Sequence, residues 1–134
     1  MTIHVMGIVA AFIAQFVFGF VYYSEQVAFP AWWKAIGNEG KQPGDGGSMG
    51  TLFGLTAFGG LVSVVLVAAL LSNVSTDASF VDGLGYGAFA GLIAVSISLG
   101  HRMFAGHGFK AWLLETIGDI GTYAIIGVVL SYWY

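Results

Sequence analysis

The chain has 134 residues, 57% hydrophobic and only 8% charged, with a formal net charge of −3 and a mean hydropathy of +0.85. A water-soluble domain carries roughly 25% charged residues, so the main solvent for this chain is lipid. Four Lys or Arg in all leave no basic footprint for nucleic acid, and the absence of cysteine excludes disulfides and thiolate metal sites.

A spanning helix needs about 20 mostly apolar residues, and four runs qualify. The first covers 3–24, "IHVMGIVAAFIAQFVFGFVYYS". It has no basic n-region and is too long and aromatic for a cleaved signal peptide, so it is expected to be a retained helix. "VAFPAWWKAIG" follows at 27–37. It predicts a short interfacial helix over about 30–37, with Pro30 in the first turn, Gly37 as the stop, and Trp32 and Trp33 in the headgroup layer. The loop at 38–48, "NEGKQPGDGGS", is Gly-rich, and Ser48 is placed to cap the second span at 50–71. Asp82 is a candidate cap for the third span at 83–101, "GLGYGAFAGLIAVSISLGH". The fourth covers 111–133 and ends in an aromatic anchor of Tyr132, Trp133 and Tyr134. None of the runs alternates with period 2, which favours helices over barrel strands.

Lys34 and Lys41 lie between spans one and two, and Arg102 and Lys110 between spans three and four. With four spans, both connections fall on one side, which the positive-inside rule makes cytoplasmic. The expected fold is all-α: a four-helix transmembrane bundle, with the interfacial helix on the cytoplasmic side and both termini outside. Residues 1–134 form a single integral membrane domain. Gly83, Gly87 and Gly91 share one face of span three, Gly50 and Gly54 one face of span two, and Ala90, Ala94 and Ser98 a second small-residue face. All are expected to be close-packing surfaces. Four short spans enclose little space, so a homo-oligomer or a complex with partner membrane subunits is expected within the bilayer.

Span four also carries two carboxylates, Glu115 and Asp119, four residues apart on one helix face, with Thr122 and Tyr123 extending the stripe. At 1.5 Å per residue, Glu115 lies roughly 6 Å and Asp119 roughly 12 Å from the inner end. The half-thickness of the hydrocarbon is about 15 Å. An ionised acid at Asp119 costs about 2.5–3.5 kcal/mol even on the milder insertion scales, so it is expected to face protein or a watery cavity. Gln15, Thr56 and Ser96 fall at comparable depths on the other spans. Nearer the inner surface, Glu25, His101 and Arg102 are level with Glu115; Arg102 is a partner for either glutamate and His101 a candidate proton relay. The bland alternative is that these groups are structural, with Arg102–Glu115 an ion pair and Gln15–Asp119 a hydrogen bond between helices or subunits. His101, His107 and Glu115 are weak candidates for a metal site, since two histidines six apart in a loop make no specific motif.

Two blocks carry a resemblance. One is "FGFVYYS" at Phe18–Ser24 with "FPAWWKAIG" at Phe29–Gly37. The other is "LGHRMFAGHGFKAWLLE" at Leu99–Glu115, ending in "IGVVLSYW" at Ile126–Trp133. In order and spacing the chain resembles the domain of unknown function 1761 family over nearly its whole length. That resemblance implies a small four-span protein of the bacterial inner membrane and brings no activity with it. Phe29-Pro30 stands where the family usually has Phe-Gly. Glu115 and Asp119 stand where it usually has a Trp with an amide or small residues.

Nothing resembles a phosphate loop, a nucleophile triad or a zinc motif, so no cofactor and no enzymatic activity are expected. The expectation is an intramembrane site for a proton, cation or small solute, with Asp119, Gln15 and Thr122 at its centre and Glu115, Glu25, His101 and Arg102 at its mouth. The competing expectation is a non-catalytic accessory subunit of a larger membrane complex.

Overall fold

Each long apolar run forms one helix in the computed structural model, which describes residues 2–134. The helices are α1 (Val5–Tyr22), α2 (Phe29–Ala35), α3 (Met49–Val74), α4 (Phe80–Phe104) and α5 (Gly108–Ser131). Four of them are long and apolar enough to cross a membrane. The shortest, α1, has 18 residues, about 27 Å of helix against a hydrocarbon layer of about 30 Å.

The ends follow local chemistry. Ser48 caps α3 through Thr51 N–H. Asp82 is not the cap of α4: Ser79 is, and Asp82 closes a reciprocal capping box by accepting from Ser79 N–H at 2.9 Å. Helix α4 therefore starts earlier than the apolar pattern indicates. In α2, Pro30 sits in the first turn and Gly37 takes a left-handed φ of +79° just beyond the end, which suits a residue without a side chain.

Helix α5 is the axis of the bundle and packs on each of the other four, most extensively on α4. Glycine sets that pairing. A side chain at Gly83 would overlap the carbonyl of Gly127, and one at Gly87 the carbonyl of Tyr123. The two backbones are in direct contact along this seam. On its other side α5 receives α1: Gly121 lies under Phe18, and Gly118 under Tyr22 and Tyr23. Gly50 and Gly54, expected to form a packing face on α3, do not; no neighbouring helix lies near either. Ala94 of the second small-residue face is likewise exposed.

The core is small and lies toward the end of the bundle that carries the termini. It joins Ala11, Val64, Val67, Ala68, Leu71, Ile126 and Leu130. Helix α3 contributes no buried residue before Val64, so it shares the core only with its second half and meets α1 before that at Gly60. Both chain ends meet at that end. Tyr134 accepts from His4 N–H at 3.2 Å and stacks edge-on against its ring, and Trp133 packs over Gly7. The expected aromatic anchor is thus partly a clasp on α1, with Tyr132 left exposed.

Candidate functional site

At the opposite end of the bundle a group of polar side chains from α1, α2, α4 and α5 is joined by hydrogen bonds. Glu115, in the second turn of α5, is the hub. One carboxylate oxygen accepts from Arg102 Nε at 2.7 Å, and the other from the Trp32 indole N–H at 2.8 Å. The Glu115 side chain is 12% exposed and that of Arg102 33%. Arg102 Nη1 also donates to His107 Nδ1 at 2.8 Å, so that ring nitrogen carries a lone pair there. Tyr22 donates its hydroxyl to the Leu114 carbonyl, and Tyr23 stands edge-on to Trp32. One acid thereby pins α2 and the end of α4 to α5.

Above α2 a cavity of about 560 Å³ opens between α1, α2 and α3. Its walls are aromatic: Phe16, Phe20 and Tyr23 from α1 and its end, Phe29, Trp32 and Trp33 from α2, with Leu52 and Phe53 of α3 opposite. Trp33 donates its indole N–H to the Lys41 carbonyl at 3.0 Å, which folds the 38–48 loop back so that Pro43 and Gly44 complete the rim. Among the lining side chains, Gln15, Thr56, Thr122 and Tyr23 and the indoles of Trp32 and Trp33 carry polar atoms, the indoles being already engaged with Glu115 and Lys41. Thr56 already donates to the Leu52 carbonyl of its own helix at 2.8 Å. Gln15 is 7% exposed, and its Nε2 is buried with no hydrogen-bond partner. The amide lies against Gly60, where any side chain would overlap it.

The expected residues therefore separate into two groups. Gln15 and Thr122 come together in the cavity, joined by Thr56. Glu115 and Arg102 come together in the hub below it. Asp119 does not line the cavity and its carboxylate receives no hydrogen bond among the described residues; although exposed, it lies beside the hub, within electrostatic range of Glu115, Arg102, Tyr22 and Tyr23. Its position follows from the α5 stripe. Tyr123, one turn further on, meets Ser63 at 3.2 Å. Asp119 is thus level with the part of α3 before Ser63, where α3 buries nothing. Ser96 is exposed on α4 and bonds its own helix at Leu92, so it takes no part. Glu25 and His101 are exposed and lie outside both groups. Arg102 chooses Glu115 rather than Glu25, and the histidine in contact with it is His107 rather than His101. The trio His101, His107 and Glu115 does not converge.

Sequence reasoning missed Trp32, Tyr22 and His107 as hub residues, and the aromatic wall as a cavity lining. A signal for the first was present: a Trp N–H near a membrane end seeks an acceptor, and Glu115 is one of few on offer.

The fold and its distribution of polar groups define a multi-pass membrane protein. The model for the family described as protein of unknown function (DUF1761) matches residues 6–131, and the chain belongs to that family. No curated protein and no solved structure matches it.

Proposed function

We propose that this is a non-catalytic membrane protein that binds a small solute inside the bilayer, in the cavity between α1, α2 and α3. The observation that carries the reading is Gln15. A buried amide nitrogen without a partner costs about 1–3 kcal/mol, and the side chain that carries it lines a cavity whose size suits a small molecule. Binding fits better than conduction of protons or cations, because no charged side chain lines the cavity. The hub has a positioning part: Glu115 holds Trp32, and Trp32 is a wall. The proposed orientation puts the α2 end, with all four Lys and Arg, in the cytoplasm and both termini outside. The proposed setting is the bacterial inner membrane, as a homo-oligomer.

The test fills the cavity. Gly19 lines it, and nothing lies within 4 Å of a Cβ added there. Gly19→Leu therefore plugs the space and favours the helix. Wild-type and variant are purified in mild detergent, incubated with the apolar extract of the expressing cells, and weighed by native mass spectrometry. The expected result is a small bound mass on the wild type that Gly19→Leu loses. An identical bound mass on both, or none on either, overturns the proposal.

A further inference from the structure

The cavity has walls that are held and one wall that is free, an inference that rests on the binding reading above. We infer that the first half of α3, residues 49–58, is a gate on the cavity, which swings about the glycine pair Gly59 and Gly60 to admit and enclose the solute.

Packing changes along α3 at that pair. Over residues 49–59 every side is exposed except at Ala57, which is partly buried. Beyond it, Ser63 meets the Tyr123 hydroxyl at 3.2 Å, and Val64, Val67, Ala68 and Leu71 are buried. The second half of α3 is therefore fixed in the bundle, and the first half has no lateral support. Two consecutive glycines at the boundary are where a helix bends most readily. Gly60 is held against the Gln15 amide of α1, whereas nothing lies within 4 Å of a Cβ added at Gly59. The pivot is thus seated on one side and open on the other.

The facing walls lack this freedom. Tyr22 bonds the Leu114 carbonyl and Trp32 bonds Glu115, which ties the end of α1 and α2 to α5. The wall on the free half consists of Leu52, Phe53 and Thr56. These side chains face the cavity, so a swing toward α1 and α5 closes it. The loop that leads into α3 follows easily, being rich in glycine, with left-handed φ at Gly40 and Gly44. The open arrangement also carries a cost. Asp119 is level with Gly59, since Tyr123 one turn further on meets Ser63, and it is exposed. An acid uncovered within a span is unfavourable, and α3 drawn in toward α5 shelters it. Open and closed forms are therefore competing states of one hinge.

A chain without cysteine takes pairs of spin labels cleanly. One pair, Val17→Cys with Leu55→Cys, spans the gate; Phe18 packs on Gly121, so α1 is a fixed reference there. A control pair, Val9→Cys with Leu66→Cys, spans the packed halves, and all four positions are exposed. Distances are measured by double electron–electron resonance on the full chain in lipid nanodiscs. The gate pair should give a distribution clearly broader than the control pair. Gly59→Ala fits without contact and stiffens the helix, so it should narrow the gate pair to the control width. Gly54→Ala, equally free of contacts but off the hinge, should leave it broad. A gate pair as narrow as the control in the wild type, no narrowing by Gly59→Ala, or equal narrowing by Gly54→Ala overturns the gate. None of these touches the binding reading, which stands or falls on the mass that Gly19→Leu loses.

Discussion

Glu115 answers for two neighbours at once, and its removal should show it. In Glu115→Ala, Arg102 loses its counter-charge and Trp32 its acceptor. Breaking a buried ion pair from one side costs about 3–5 kcal/mol. Arg102 is one-third exposed, so solvent recovers part of that, and about 3 kcal/mol is expected. Glu115→Gln keeps an acceptor for the indole and should cost less than half as much. Unfolding in mixed micelles with increasing dodecyl sulfate measures both, and equal losses for the two variants would contradict the account. The pairing of Glu115 with Arg102 was legible from their shared depth. Its bond to Trp32 was not, because nothing in the chain's periodicity says that α2 folds back onto α5. Asp119 shows the converse. Its cost in lipid predicts shelter, but shelter depends on how close α3 comes, and helix faces alone do not encode that distance.

At the scale of the helix, the small-residue pattern occurs on both α3 and α4 and means different things on each. The glycines of α4 lie on the carbonyls of α5, whereas Gly50 and Gly54 of α3 meet no neighbouring helix. A four-residue spacing of small side chains identifies a surface that another helix can approach closely; it does not supply the other helix. Helix α5 brings its own glycine, Gly127, to the Gly83 contact, and that reciprocity is the part of the pattern worth reading in advance. Gly87→Ala should push the helices apart and cost about 2 kcal/mol, as overpacking of a tight contact does. Gly54→Ala should be neutral or gain up to about 1 kcal/mol from helix propensity. Thermal melts of the two variants beside the wild type separate these outcomes. A Gly87→Ala protein as stable as the wild type would mean the seam has slack that the contacts do not show. The four long helices themselves were readable from composition and length, to within a few residues at most ends. The largest offsets, three residues, fall at the end of α3, at both ends of α4, where the Ser79 cap sets the start ahead of Phe80 and Val81, and at the start of α5.

Across the whole molecule the chain is polarised along the bundle axis. One end holds the clasp of His4 with Tyr134 and of Gly7 with Trp133. The other holds α2, the Glu115 hub and every Lys and Arg: Lys34, Lys41, Arg102 and Lys110. A bundle with an even number of spans puts its termini on one side, and the clasp makes that a matter of contact rather than of counting. Four basic groups at one end and none at the other bias insertion toward keeping the basic end in the cytoplasm. The proposed orientation follows, and it places the α2 end of the cavity toward the cytoplasmic headgroup layer. A chain without cysteine lends itself to a direct test. Thr2 and Gly46 are exposed at opposite ends of the bundle, and nothing lies within 4 Å of a Cβ added at Gly46, so a side chain fits there without disturbance. In intact spheroplasts, a membrane-impermeant maleimide should label Thr2→Cys and leave Gly46→Cys unlabelled until the membrane is permeabilised. The reverse pattern would put α2 and the Glu115 hub on the outer face and overturn the proposed orientation.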